Sequence, residues 1–239
     1  ALIEPGAMVL IDAAAEVDGY SADITRTFPA DGKFSGPQRA VYEVVLAAFE
    51  RGLDLSRPGS SMRAIHDGAT EVLTEGLVEL GLLPRSLEDS LAMHHYNEFY
   101  FHGTGHWLGM DVHDRGAYRD DGKPRPLQPG MSFTVEPGLY VAPEKGEIEL
   151  SLLEYDLDER ARRRLEIGAS AAAALEAEEK DAAETVTHQV PDEFLGIGIR
   201  IEDDIVITDD GMTNLTEGAP VKIDAIEAVC AELSVLPSD

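Results

Sequence analysis

The sequence predicts an α+β fold made of two related halves within one domain. One short segment occurs twice, each time as a Pro-Gly pair followed by an apolar run that ends at a carboxylate. Elsewhere in the chain, apolar residues recur at helical spacing over several stretches. At 239 residues the chain is long enough to bury a full core.

The repeated segment places acidic residues at matching positions in the two halves. One Pro-Gly pair precedes Asp12 and another precedes Glu136, and the proline lies seven positions before the carboxylate in both cases. Each half also carries a second acid on a later predicted strand, namely Asp23 and Glu202. Carboxylates among apolar strand residues must be paired or bound to metal. Because few cations lie near these positions, the repeat predicts a metal site.

A tight hairpin is predicted to bring Asp12 and Asp23 together. Asp18-Gly19 lies between two alternating runs, which is typical of a two-residue turn with positive φ at both central positions. If Val17 pairs with Tyr20, the two aspartates become diagonal neighbours on one face, with Cα atoms about 7–8 Å apart. Both carboxylates can then share one site.

Arg200 and Glu202 are two residues apart on a predicted strand. Side chains alternate along a strand, so both are expected to face the same side. The guanidinium of Arg200 is therefore expected to orient the acidic cluster.

Helices are predicted between and after the strands, from N-cap residues and helical apolar spacing. They run from Ser35 to about Leu55, from Ser60 or Ser61 to Gly81, over a short stretch before Tyr96, and from about Val221 to Leu236.

Three histidines, His102, His106 and His113, lie in a glycine-rich segment. Its glycines disfavour a continuous helix, so the segment is expected to turn tightly and direct imidazoles into a cleft. His94 and His95 lack this context and are expected at the surface or at a helix end.

These motifs closely resemble the catalytic domain of aminopeptidase P, the Xaa-Pro aminopeptidase of the pita-bread metallopeptidases. The matching segments are residues 102–113, 134–140 and 196–203 and the hairpin that carries Asp12 and Asp23. The resemblance covers nearly the whole chain outside about 142–192. It implies a pita-bread fold with two pseudo-symmetric halves, in which helices cover an antiparallel sheet.

The resemblance also implies a ligand set for two metal ions. By this resemblance Asp12 binds one ion, Asp23 and Glu202 bridge the two, and His106 and Glu136 complete the second. A donor set of mainly carboxylate oxygen with one imidazole fits Mn²⁺ best, while cobalt or zinc remain alternatives.

The remaining functional residues follow from the same resemblance. His102 and His113 correspond to histidines that contact the substrate and stabilise the tetrahedral intermediate, and Arg200 to the arginine that supports the cluster. Tyr140 corresponds to a residue lining the pocket. Glu136 is expected to accept the proton of the attacking water as well as to bind metal. The implied substrates are peptides with proline at the second position.

Composition limits the partners and the compartment. With 46 acidic and 19 basic residues, the net charge of −27 disfavours binding to nucleic acid and to anionic membranes. A single cysteine, Cys230, fits a reducing compartment such as the cytoplasm and is expected in the core of the last helix. Family precedent implies a homo-oligomer, either a dimer or a tetramer.

Two features depart from the family pattern. The family has a separate amino-terminal domain, opening helices and a histidine on the strand before the first aspartate, and this sequence matches none of them. We therefore expect residues 1–239 to be an N-terminally incomplete catalytic domain with little activity by itself. An acidic insertion at about 143–192 is expected to form one or two solvated helices at the surface, or alternatively an oligomer contact.

Other members of the same fold offer alternative functions. Prolidase uses the same ligands to cleave Xaa-Pro dipeptides, and creatinase-like members work without metal. A non-catalytic pita-bread module that binds proteins is a more distant alternative, because such modules have lost ligands and this sequence retains all five.

Overall fold

The computed structural model describes residues 2–232. The first half contains the strands β1 (Met8–Ala13), β2 (Glu16–Val17), β3 (Tyr20–Ser21) and β4 (Ile24–Pro29), then the helices α1 (Gly36–Leu55), α2 (Met62–Glu79) and α3 (Leu87–Ala92) and a 3₁₀ turn, His95–Glu98. The second half begins with the strands β5 (Arg119–Asp120), β6 (Lys123–Pro124), β7 (Ser132–Val135), β8 (Gly138–Tyr140) and β9 (Glu147–Ser151). It continues with α4 (Leu157–Ile167), α5 (Ala169–Ala182), β10 (Thr185–Gln189), a 3₁₀ turn (Asp192–Phe194), β11 (Gly198–Arg200), β12 (Asp203–Ile207), β13 (Met212–Asn214) and α6 (Ile223–Cys230).

The predicted α+β class and the internal repeat are both visible in the fold. In the first half β1 pairs with β4, and in the second half β7 pairs with β12, antiparallel in both cases. Each repeat starts at a Pro-Gly turn whose glycine has positive φ, 81° at Gly6 and 86° at Gly130. The halves meet where Thr25 of β4 forms an antiparallel bridge with Glu202.

The predicted hairpin register is confirmed. Val17 pairs with Tyr20, and the turn residues Asp18 and Gly19 have φ values of 50° and 81°. The same register continues into β1 and β4, where Asp12 lies opposite Thr25. The turn at Asp18-Gly19 thus sets the strand register of Asp12, which lies six positions before it in the chain.

Helices cover the sheets and supply a large part of the core. Ser35 caps α1 with a reciprocal capping box, and Ser61 caps α2, as predicted. The two helices pack against each other and against the strands of the second half through fully buried side chains. These include Val41, Val45, Phe49, Ile65, Leu73 and Leu77 from the helices and Phe133, Leu139, Ile199 and Ile205 from the strands.

The insertion at 143–192 contains the two helices predicted for it but also two strands that were not predicted. β9 pairs with β10 in an antiparallel ribbon, with the helices α4 and α5 between the two strands in sequence. Ile148 and Leu150 alternate with exposed residues along β9 and are buried. This period of two marks a half-buried strand, and it was overlooked because the insertion is so rich in acidic and alanine residues.

Three further expectations need correction. α6 ends at Cys230 instead of continuing, and residues 233–236 of the predicted helix lie outside the described part. The Cys230 side chain is exposed and not in the core. His95 begins a 3₁₀ turn, which agrees with the expected helix end, but the alternative of a surface position is wrong because the residue is buried, with its Nε2 2.7 Å from the Ser151 carbonyl of β9. Within residues 2–232 no helix is long and apolar enough to span a membrane.

Candidate metal centre

Four carboxylates from both halves converge where the two sheets meet. Asp12 lies near the end of β1, Asp23 directly before β4, and Glu136 directly after β7. Glu202 lies between β11 and β12. Asp23 and Glu202 are 6% and 1% exposed, whereas the Asp12 side chain is 43% exposed.

The strand predicted to carry both Arg200 and Glu202 is interrupted at this point. β11 ends at Arg200 and pairs with β8, whereas β12 begins at Asp203 and pairs with β7. Glu202 lies in the gap and bridges to Thr25, whose hydroxyl donates a 2.5 Å hydrogen bond to Glu202 Oε2. The change of partner strand is what directs Glu202 into the junction between the halves.

The glycine-rich segment lies directly against β7. The Thr134 amide donates to the His106 carbonyl at 3.0 Å, and the Glu136 amide donates to the Thr104 carbonyl at 2.8 Å. A Cβ atom on Gly105 would lie 1.8 Å from the Thr134 carbonyl oxygen, so only glycine allows this approach. The close contact brings the His106 and Glu136 side chains to the same site.

The tautomer of His106 can be assigned from its partners. Nδ1 lies 3.1 Å from the Trp107 carbonyl, which can only accept, so Nδ1 carries the proton in the neutral ring. Nε2 then presents a lone pair to Asp23 Oδ2 at 3.5 Å and Glu136 Oε1 at 3.7 Å. Burial lowers the pKa of His106, which disfavours a proton between these atoms. A lone pair facing two carboxylates calls for a cation, and a backbone acceptor on the other nitrogen is typical of histidines that bind metal.

Three overlapping groups of side chains could each hold an ion. They are Asp12 with Asp23 and Glu202, His106 with Glu136 and Glu202, and Asp23 with His106 and His113, and within each group the donor atoms lie within 4.8 Å of one another. The first two groups meet at Glu202. Together they contain all five ligands that the sequence motifs suggested.

The electrostatics of the chain without metal show an excess of negative charge. Burial raises the pKa of Glu202 to about 8, and Glu136 and Asp23 add to this shift. Burial likewise raises the pKa of Glu136 to about 7 and that of Asp23 to about 6. Carboxylates resist ionisation when they are desolvated beside like charges. Hard oxygen donors in such a site, with one imidazole, fit divalent cations.

Arg200 is linked to the site through a chain of hydrogen bonds. Its Nη1 lies 2.7 Å from Asp12 Oδ2 and 3.8 Å from Glu136 Oε2, and its Nε donates to the Tyr140 hydroxyl at 2.8 Å. The Tyr140 oxygen lies 2.8 Å from His102 Nε2, and His102 Nδ1 lies 2.8 Å from the Gly103 carbonyl. The carbonyl requires the proton on Nδ1, so Tyr140 donates to Nε2. Both nitrogens of His102 are therefore engaged.

His113 lies closer to the ligands than its expected role suggested. Its ring centroid is 4.0 Å from that of His106, and one of its nitrogens belongs to the group with Asp23. Its side chain is exposed, unlike those of the other two members of that group. The exposure is compatible with a contact to substrate at the mouth of the site.

Several supporting residues were missed by sequence reasoning. One is Thr25, whose hydroxyl donates to Glu202. Another is Arg26, which donates to the backbone carbonyls of Thr25 and Glu202 at 2.9 and 2.7 Å. Asp204 accepts from the Asp23 amide at 3.1 and 3.2 Å. Each of these residues lies within three positions of a predicted ligand in the sequence. The run of three acids from Glu202 to Asp204 was the available signal, because such a run within an apolar strand needs partners.

Comparisons with known proteins agree with this geometry. A profile of metallopeptidase family M24 matches residues 1–209. The Xaa-Pro aminopeptidase of Escherichia coli strain K12 is 40% identical over 224 residues, which are 94% of this chain and 41% of that protein. The aminopeptidase PepP of Pseudomonas aeruginosa superposes with a TM-score of 0.77 at 40% identity, covering 97% of this chain and 43% of that one.

A second solved structure, proline aminopeptidase P II from Yersinia pestis, has a TM-score of 0.74 and 43% identity, over 95% of this chain and 42% of that one. The chain thus spans less than half the length of these relatives. The neighbours identify the architecture as the predicted pita-bread fold. On the family match and these identities, the chain belongs to metallopeptidase family M24.

Proposed function

We propose that this chain carries the catalytic centre of a dinuclear-metal aminopeptidase that cleaves the bond between an N-terminal residue and a following proline. The observation that carries the proposal is the arrangement around His106, whose unprotonated nitrogen faces Asp23 and Glu136 beside the two ligand groups that meet at Glu202. The proline specificity is supported by the relatives, which are named Xaa-Pro aminopeptidases.

Glu136 has the position required of a residue that both binds metal and moves a proton. Its Oε1 faces His106 at 3.7 Å, while its Oε2 lies 3.8 Å from both His102 Nδ1 and Arg200 Nη1. When bound, divalent ions supply Lewis-acid polarisation of an amide carbonyl and activate a water nucleophile. Glu136 would accept a proton at Oε2, the oxygen that faces His102 and Arg200, and would pass it to the leaving amine.

The substrate contacts are assigned to His102 and His113. The protonated Nδ1 of His102 can donate to a substrate oxygen once it releases the Gly103 carbonyl. The Tyr140 hydroxyl, which is held by Arg200, continues to donate to Nε2 and keeps the ring in place. Arg200 in turn orients Asp12. Hydrogen-bond donors directed at a developing oxyanion contribute about 2.7–4 kcal/mol per donor in other enzymes.

The metal, the assembly and the compartment complete the proposal. Mn²⁺ is supported by the four carboxylate ligands, although a relative from E. coli has been solved in a zinc-substituted form. A dimer or tetramer and a cytoplasmic location are proposed from family precedent and from the single cysteine.

The test uses the manganese-loaded protein and three substrates: a peptide that begins Xaa-Pro, the same peptide with alanine in place of proline, and an Xaa-Pro dipeptide. We expect two bound ions per chain and, at the low level of activity expected of residues 1–239 alone, release of the first residue from the first peptide only. Equal cleavage of the alanine peptide would refute the specificity. Cleavage restricted to the dipeptide would reassign the protein as a prolidase.

A further inference from the structure

A large cavity on this acidic protein is lined by positive charge. Its volume is about 870 Å³, and five of the chain's 19 lysine and arginine residues line it. They are Arg63, Arg119, Arg160, Arg162 and Arg164. In a chain with 46 acidic residues this concentration of arginine requires an explanation.

The insertion builds most of this cavity. α4 supplies three of the five arginines, and α2 and β5 supply the other two. His94 and Tyr155 stack with ring centroids 4.9 Å apart, and the Arg160 guanidinium lies 3.8 Å above the Tyr155 ring. The stack fixes α4 over the body of the protein, so the arginines face a defined space.

The acids that pair with these arginines do not line the cavity. Arg160 and Arg164 contact Glu176 at 3.4 and 3.2 Å, and Arg63 contacts Asp67 at 2.6 Å. Among the described side chains the lining includes no carboxylate. Burial lowers the pKa of His94, and the charges of Arg160 and Arg63 lower it further, as expected in a positive potential.

A smaller cavity joins the arginine cavity to the glycine-rich segment that carries His102. This smaller cavity of about 300 Å³ shares Arg63 and Arg119 with the arginine cavity and is also lined by residues 103–105. Those residues directly follow His102, the expected substrate contact. A peptide that ran along these two cavities in extended form would advance about 3.3–3.6 Å per residue.

We propose that the arginine cavity binds carboxylates in the downstream part of the peptide substrate, which makes the site selective for acidic peptides. This inference rests on the proposed function. Arginine suits the task because its planar fork can hold a carboxylate through two hydrogen bonds. The cavity also provides a positive region on a surface that otherwise repels acidic peptides.

Binding is tested on the metal-free protein, so that the result does not depend on catalysis. Fluorescent peptides begin with Ala-Pro, continue with one to four glycines and end in three glutamates, and their partners end in three glutamines. We expect tighter binding of the glutamate series, measured by fluorescence anisotropy, and weakening by added salt. Equal affinity for the two series would overturn the proposal.

A matched pair of variants locates the binding. Arg162→Gln with Arg164→Gln removes two cavity charges from exposed positions on α4, whereas Arg163→Gln with Lys180→Gln removes two charges from the same helix pair outside the cavity. We expect the first variant to bind the glutamate peptide about 2- to 30-fold more weakly and the second to bind normally. An equal loss in both variants would overturn the proposal, and thermal melts establish that both are folded.

A phosphate probe tests whether the cavity binds phosphate instead of peptide carboxylates, and an activity assay tests the proposed function separately. Binding of tripolyphosphate that depends on these arginines, without binding of the glutamate peptides, would overturn the peptide proposal. Glutamate-selective binding in a protein that fails to cleave Xaa-Pro peptides would refute the proposed function alone. In an active protein we expect the double variant to raise KM for acidic peptides without changing kcat.

Discussion

The two halves of the fold contribute equivalent carboxylates in unequal surroundings. Asp12 and Glu136 occupy the same position of the repeat, but their side chains are 43% and 12% exposed. β1 becomes exposed toward its end, whereas β7 is buried through Val135. The position of Glu136 is thus fixed by a strand in the core, whereas that of Asp12 is fixed by the exposed end of a hairpin. Matched substitutions in the two halves should therefore have unequal effects.

The largest effect on turnover is expected for Glu136→Gln. The change keeps the shape of the side chain, removes the proton acceptor and weakens the metal site, so turnover should fall about 10²–10⁴-fold. Steady-state kinetics with Xaa-Pro peptides measure the loss. Glu144→Gln, an exposed substitution farther along the same half, is the control and should be neutral. Near-normal turnover of the first variant with both ions bound would assign the base elsewhere.

Removal of metal should change how stability depends on pH. The pKa of Glu202 is about 4.5 in the unfolded chain and about 8 in the folded chain. Below pH 4.5 the group is protonated in both states and does not change the free energy of unfolding. Above pH 8 it is ionised in both states, and its burial then lowers the free energy of unfolding most. The metal-free protein should therefore lose stability as pH rises across this range, and bound metal should reduce the loss. Thermal melts in chelator and in Mn²⁺ at pH 5 and pH 8 test this. Equal chelated stability at both pH values would contradict it.

A smaller effect is expected for Asp12→Asn, the counterpart of Glu136→Gln. Asp12 is not a member of the group of His106, Glu136 and Glu202, so that group should keep its ion together with the proton acceptor. Metal analysis should show loss of one ion per chain, and turnover should fall less than in the Glu136 variant. Asp18→Asn, in the turn of the same hairpin, is the control. Loss of both ions would show that the halves do not act separately.

The smallest effect is expected at the junction of the halves, for Thr25→Val. It removes the hydroxyl that donates to Glu202 without changing the shape of the side chain. Loss of a partner that orients a ligand typically costs about 10- to 100-fold in metal affinity. Titration with Mn²⁺ measures the affinity. Thr74→Val, which removes another buried hydroxyl within α2, should leave it unchanged.

Local signals were enough to predict the parts of the fold that local interactions stabilise. The Asp18-Gly19 turn sets the register of its own hairpin, and Ser35 and Ser61 cap the helices that follow them. The paired strands of the insertion were missed because their apolar residues become informative only when β9 meets β10, with α4 and α5 between them in sequence.

The same limit applies within the candidate site. The five proposed ligands could be predicted from the repeat, the glycine-rich histidine segment and the family resemblance. The break between β11 and β12 was not, because it depends on which strand each segment pairs with. The relay from Arg200 through Tyr140 to His102 also joins residues far apart in the chain.

The sequence by itself determined which donors are available, in what order, and which turns and caps start each element. Only the tertiary structure decided how deeply Glu202 is buried, which nitrogen of His106 faces the carboxylates, and that α4 places its arginines over one cavity. The physical reason is that desolvation and electrostatic potential sum over all atoms around a group. Most of those atoms come from segments that are distant in sequence and come together only in the folded protein, where the two halves pack against each other.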